Sequence, residues 1–235
     1  MNDGLISGLN VDGLKPAHQK RSRDLIIKLV DGGLEMLSDH DFDTLSIERL
    51  CAHTQVTIGS FYARFDSKEA FVLTLQRVAV EQARSWSKKN YVPGRIPNDS
   101  LAHLLAWFVK GTVNWYRRNE GLVRASLRKA SSDPRAWTPI RELGRMQLDQ
   151  MLPHINWMLG TEPTKERDDT VRFAFQVMNG TLNNMVLINP GPFSIHHPET
   201  PHLLARAMLK LIENASKMEQ NGVGAEPRAQ SRKSK

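Results

Sequence analysis

The chain has 235 residues, 40% hydrophobic and 24% charged, proportions ordinary for a water-facing globular fold of one large or two unequal domains. Its longest apolar runs, such as Leu104 to Val109, fall well short of the roughly 20 residues a bilayer-spanning helix needs, and the single cysteine, Cys51, excludes an internal disulfide and any multi-thiolate metal centre. The net charge of +7 does not mark a basic first third: residues 1–68 hold 8 Lys and Arg against 10 Asp and Glu, and the surplus lies beyond them.

Met1 to Leu14 lacks a basic segment followed by an apolar stretch, so no secretory signal is expected and a cytoplasmic location is. Residues 1–18 are expected to form a flexible basic arm. Lys15, His18, Lys20, Arg21 and Arg23 cluster around its end; such a cluster is usually a solvated face, but ahead of a DNA-reading unit it can meet phosphates or a groove. Apolar residues at helical spacing, Ile26, Leu29, Val30, Leu34 and Leu37, predict a first helix, and the polar stretch Asp39 to Asp43 ends it.

Ser46 is a good N-cap for a short second helix with Ile47, Leu50 and Cys51 on one face. After Thr54-Gln55-Val56, Thr57 can cap a third, very short helix containing Gly59, Ser60, Phe61 and Tyr62. Two such helices cannot bury their apolar faces alone and need the first as a lid, which makes a tri-helical unit. Small polar groups at the start of the third helix, Thr57 and Ser60, with Ile58, suit base edges in a major groove. Tyr62 can donate to a phosphate or simply pack its ring, while Phe61 and Phe65 read as core. Ser67 caps the next helix, and Lys68 in its first turn is either a phosphate contact or an ordinary solvated lysine.

The run Phe42 to Glu69, and above all Gly59-Ser60-Phe61-Tyr62-Ala63-Arg64-Phe65-Asp66-Ser67-Lys68-Glu69, resembles the DNA-binding signature of the tetracycline-repressor (TetR) family. The resemblance covers roughly residues 19–81. It departs at Thr54-Gln55, where the family usually has Ala-Gly, so a bulky side chain stands where a left-handed backbone is often favoured and a slightly remodelled turn is expected. Cys51 replaces a small alanine and is expected to be a buried packing residue. Arg64 replaces a His or Tyr and can add a phosphate contact. The resemblance implies an all-α protein: an N-terminal helix-turn-helix domain that binds double-stranded operator DNA through Ser46, Thr57, Ile58, Ser60, Tyr62, Arg64 and Lys68, and a C-terminal helical domain for effector binding and dimerisation. It also implies a repressor that binds an inverted repeat as a homodimer and is released by a small-molecule effector.

Beyond residue 81, helical periods continue. The helix from Glu69 to about Lys89 is ended by Pro93-Gly94 and Pro97, and Leu101, Leu104, Leu105, Phe108, Thr112 and Trp115 trace one buried face of the next. Further helices are expected near 121–130 and 139–159, the latter interrupted or kinked by Pro153. Val171, Ala174, Phe175, Met178, Leu182, Met185 and Val186 form one stripe, and Phe173, Val177, Gly180, Thr181 and Ile188 a second. A helix apolar nearly all round is central in its domain or shares a face with a partner; by the family resemblance, helices near 165–188 and 201–215 make a homodimer interface, the alternative being one monomer core. An effector pocket implied by the resemblance is assigned to Trp107, Trp115, Phe175 and Met178, which otherwise read as core. Residues 82–215 are taken as the second domain and 216–235 as a disordered basic tail.

No nucleophile elbow, phosphate-binding glycine loop or His-Glu-x-x-His occurs, so neither an enzyme nor a cofactor is expected. His196, His197, Glu199 and His202 lie between prolines without helical ligand spacing, and no metal is expected there. The alternative to a DNA-binding regulator is a helical module binding RNA or a protein through its basic surface. From Lys110 to Arg145 there are 9 Lys and Arg against 3 Asp and Glu, and the surplus faces DNA, lines a pocket for an anionic ligand, or is only a solubilising face.

Overall fold

The computed structural model describes residues 8–17, 19–39, 46–160 and 164–222, except the side chains of 38, 39 and 215–222. The described residues are all-α: α1 (Lys20–Asp39), α2 (Ile47–His53), α3 (Ile58–Tyr62), α4 (Lys68–Asn90), α5 (Leu101–Arg118), α6 (Glu120–Ala130), a 3-10 turn (Pro134–Trp137), α7 (Thr138–Leu159), α8 (Lys165–Leu187) and α9 (Thr200–Gly222). Of the two outcomes expected at Pro153, an interruption does not occur, since α7 runs through it. Helix α9 runs through Gly222, past the expected start of a disordered tail at 216. The remainder of that tail, 223–235, lies outside the described residues.

Three helices and the start of α4 make the head. Ile26, Leu29, Val30 and Leu37 of α1 are buried against Leu50, Cys51, Phe61, Phe65, Phe71 and Leu75. Paired glycines inside a helix cost about 1 kcal/mol each relative to alanine, and the packing explains both. A methyl group at Gly32 would overlap Thr54 Cγ2, and one at Gly33 would stand 2.6 Å from Phe71 Cζ. Helix α1 therefore lies directly on the turn after α2 and on α4.

The second core joins α5, α8 and α9 around Leu104, Phe108, Phe175, Met178, Leu182, Met208 and Ile212, with Phe108 and Phe175 ring centroids 5.0 Å apart. Its polar edges are tied down. Tyr116 Oη donates to Asn183 Oδ1 at 2.9 Å, and Arg117 donates from Nε to the Ile195 carbonyl at 2.8 Å and from Nη2 to the His197 carbonyl at 3.1 Å. Helix α6 serves both cores, with Leu122 buried in the head and Val123 in the body. Trp115 packs on head and body alike. The expected boundary at residues 81 and 82 thus falls inside the continuous helix α4.

Residues 8–17, expected as part of a flexible arm, are docked. Leu14 forms an isolated antiparallel bridge with Phe65. Lys15 N donates to the Arg64 carbonyl at 2.8 Å, and Asp66 N donates to the Gly13 carbonyl at 2.9 Å. Leu9, Leu14 and Ala17 pack on the head core, so burial and backbone pairing together outweigh the entropy of a free arm. Residues 1–7 and His18 lie outside the described residues.

Candidate DNA-binding site

Each short helix of the head begins on the cap its sequence offers. Ser46 Oγ accepts from Arg49 N at 3.1 Å, Thr57 Oγ1 accepts from Ser60 N at 3.1 Å, and Ser67 Oγ accepts from Ala70 N at 3.1 Å. Thr57 Oγ1 also donates to Ser60 Oγ at 2.8 Å, so the two hydroxyls at the start of α3 are held as a pair. A five-residue helix has almost no stability of its own. Its orientation comes from Phe61, which is fully buried and lies 5.1 Å from Phe65 and 5.4 Å from Phe71, ring centroid to centroid.

With Phe61 inward, the opposite side of α3 faces out. Ile58 is 45% exposed and Tyr62 47% exposed, Thr57 and Gly59 are exposed, and Ser60 is half-buried. A methyl group at Gly59 would meet nothing within 4 Å. An apolar isoleucine and a tyrosine on open polar surface are what a groove-reading face requires, since a thymine methyl or sugar can cover the first and a phosphate can accept from the second. Lys68 is half-buried in the first turn of α4 beside Glu48, whose carboxyl is held below its usual range chiefly by backbone and Ser46 hydrogen bonds, with Lys68 adding a smaller share.

Other members of the sequence-predicted set are more engaged. Arg64 Nη2 donates to Ser22 Oγ at 2.7 Å, fastening the end of the recognition segment to α1. Lys15 turns back onto the head, donating to the Tyr62 carbonyl at 3.0 Å and pairing with Asp66 at 3.1 Å. The expected remodelling of the α2–α3 turn does not occur. Gln55 adopts φ +49°, the left-handed conformation, despite its side chain, and Thr54 Oγ1 donates to the Leu50 carbonyl at 2.7 Å.

The four residues assigned to an effector pocket all lie in or against the body core, and none of them lines the cavity described below. Trp107 stacks on Trp86 at 6.1 Å and meets Tyr91 at 5.2 Å, Trp115 sits at the junction of the cores, and Phe175 and Met178 are buried in the body. A cavity of about 540 Å³ opens elsewhere, between α4, α6, the 3-10 turn and the docked N-terminal strap of residues 8–17. Gln76 at its wall is 1% exposed. The signal was present in the sequence: Val72, Gln76, Ala79 and Ala83 lie at helical spacing, and one amide interrupts the stripe.

Much of the basic segment is occupied internally. Arg124 Nε donates to the Val186 carbonyl at 3.0 Å and its Nη2 pairs with Glu120, whose other oxygen meets His196 at 2.6 Å. Arg135 pairs with Asp133 at 3.0 Å. Among the described residues, no three His, Cys, Asp or Glu side chains converge as a metal-binding set, and no helix is long and apolar enough to cross a membrane.

A capped, Phe-anchored helix with an open outer face, laid across two supporting helices, is the arrangement of a helix-turn-helix DNA-binding head. A family profile described as bacterial regulatory proteins, tetR family, matches residues 29–75, from the middle of α1 into α4. Those residues therefore carry a DNA-binding domain of the tetR-family type. A tetR-family transcriptional regulator from Streptomyces coelicolor is similar over 86% of this chain and 85% of its own, with a TM-score of 0.60 at 16% identity. A transcriptional regulator from Cytophaga hutchinsonii ATCC 33406 is similar over 83% and 97%, with a TM-score of 0.58 at 13% identity. A TetR transcriptional regulator from Rhodococcus sp. RHA1 is similar over 83% and 98%, with a TM-score of 0.50 at 19% identity. At these identities the likeness establishes the fold. No curated protein matches significantly.

Proposed function

We propose that the chain is a cytoplasmic repressor that binds an inverted-repeat operator as a homodimer and is released by a small-molecule effector. The observation that carries the DNA-reading part is the outward face of α3, where Ile58 and Tyr62 are nearly half exposed while Phe61 between them is fully buried. Thr57, Ile58 and Ser60 are assigned to base edges. Ser46, Tyr62, Arg64 and Lys68 are assigned to phosphates that fix the register.

Dimerisation through α8 and α9 is supported by the second stripe of α8. Phe173 is 54% and Ile188 72% exposed, and the space around Gly180 is open, whereas the first stripe is buried except for half-buried Met185. One recognition helix reads too few base pairs for a unique site, and a two-fold pair reads two half-sites about 10 base pairs apart or a multiple of that.

Selection from random duplexes tests the reading. An inverted repeat is expected; enrichment of no sequence, or of single unrepeated half-sites, overturns it. Within the selected site, Ser60→Ala should relax base preference. Lys68→Ala should weaken all sequences alike and lower the salt slope by about one.

A further inference from the structure

We propose that the cavity beneath the N-terminal strap is a binding site for an uncharged, apolar-bodied small molecule carrying a hydrogen-bond donor, and that the strap passes its occupancy to the recognition helix. The binding half of this proposal stands on its own; the regulatory half rests on the DNA-binding reading of the head.

The need for a donor comes from Gln76. Its Nε2 donates to Ser126 Oγ and to the Ala136 carbonyl, the latter at 2.8 Å. Ser126 Oγ gives its one hydrogen to the Leu122 carbonyl at 2.6 Å, so it must accept from Gln76. Both neighbours are therefore acceptors, which fixes the amide orientation. The other amide atom, Oε1, is buried and accepts no hydrogen bond among the described residues. Leaving a buried carbonyl unmatched is unfavourable, and Gln76 borders a space of about 540 Å³, within the range of about 300–1,000 Å³ typical of small-molecule sites.

The remaining walls define the rest of the ligand. Val72, Leu73, Ala125 and Pro139 supply apolar surface. The charges around the cavity balance, with Asp12, Glu69 and Asp133 against Arg77, Lys129 and Arg135. Two of the cations have carboxylate partners, Arg77 with Glu142 at 3.4 Å and Arg135 with Asp133 at 3.0 Å. No net field favours an ion of either sign.

The strap supplies the coupling. Asn10, Val11 and Asp12 form one wall, and the next residue, Gly13, accepts from Asp66 N, just beyond the recognition segment. Gly13 has φ +80°, and a methyl group there would stand 2.7 Å from Ala70 Cβ, so the strap is pressed on the first turn of α4 and has little room to slide. Two residues on, Lys15 holds the carbonyls of Arg64 and Tyr62. Displacing residues 10–12 by a ligand thus displaces the anchors of α3.

The test is calorimetric titration of the full chain with two matched probe pairs, 4-phenylphenol against 4-methoxybiphenyl and indole against 1-methylindole. The donor-bearing member should bind about tenfold more tightly than its methylated partner, the loss expected for one hydrogen bond to a buried acceptor. Gln76→Leu should abolish that difference. Because Gln76 also bridges α6 and the 3-10 turn, Leu73→Trp provides a second variant that fills the cavity while leaving those bonds intact, and it should block both pairs. Hydrogen exchange at the Lys15 and Asp66 amides should change when 4-phenylphenol is bound. The site is overturned if no probe binds, if the methylated probes bind equally well, or if Leu73→Trp binds as the parent does; unchanged exchange at both amides overturns the relay. None of these readouts involves DNA, so failure to select an operator would remove the repressor reading without touching the site.

Discussion

Gln55 holds a left-handed backbone, φ +49°, with its side chain exposed. For a residue with a Cβ that conformation is unfavourable by about 1–2 kcal/mol, and glycine would relieve it while adding about 0.5–1 kcal/mol of unfolded-state freedom. Gln55→Gly should therefore stabilise the protein by about 0.5–1 kcal/mol in denaturant melts, whereas Gln55→Val should destabilise it; an equal or lower midpoint for the glycine variant would show that the turn is not strained. The departure at this turn was visible in the sequence, but its outcome was not. Whether the backbone yields to the side chain or the reverse depends on Leu50 and Thr54, which are locked into the head by packing and a 2.7 Å hydrogen bond. Arg64 was similarly legible as a cation and illegible as a clasp, since its partner Ser22 is 42 residues away.

Helices were read from local signals, and those signals held where the physics is local. Ser46, Thr57 and Ser67 each cap the helix that follows, because a cap bond spans three residues. The N-terminal strap escaped notice because its partners, Arg64, Phe65 and Asp66, are about fifty residues away and its sequence carries no strand period. The glycine pair in α1 carries a testable consequence at the same scale. Gly32→Ala should destabilise the head by about 1–3 kcal/mol through overlap with the Thr54 methyl group. Thr54→Ser removes that methyl and keeps the hydroxyl that donates to Leu50. The double variant should thus be more stable than the two single changes sum to, by about 1 kcal/mol or more; strict additivity would mean that the helices are not in contact there. Gly33→Ala, opposed by the buried Phe71 ring, should find no such relief in Thr54→Ser.

At the scale of the molecule, the head and body cores are joined through α4, α6 and the Trp115 ring, so loss of one strips cover from the other. The predicted division at residues 81 and 82 reflected a change in pattern from the motif to ordinary amphipathic helices, which says nothing about which helix faces both ways. The doubly apolar character of α8 was legible, yet its two stripes look alike in sequence; only the packing separates the buried one from the one bearing Phe173 and Ile188. Phe173→Glu should leave the circular dichroism of the chain unchanged and raise the dissociation constant of the proposed homodimer by tenfold or more in sedimentation equilibrium, about the effect of burying one unpaired charge. A sedimentation profile identical to that of the parent would place the interface elsewhere.

Cys51 lies inside the head at 4% exposure, and burial pushes its thiol pKa upward. As the chain's one thiol, it is a native stopwatch for breathing of the DNA-reading unit. An aromatic disulfide reagent can reach the sulfur only in molecules whose α2 has parted from α1, so the labelling rate counts those openings directly. On the proposed function, operator duplex binds only the closed form; at a hundredfold excess over its dissociation constant it should slow labelling by about a hundredfold when reclosing outpaces the reagent. Equal rates with and without duplex would mean that the sulfur is reached without parting the helices that grip DNA.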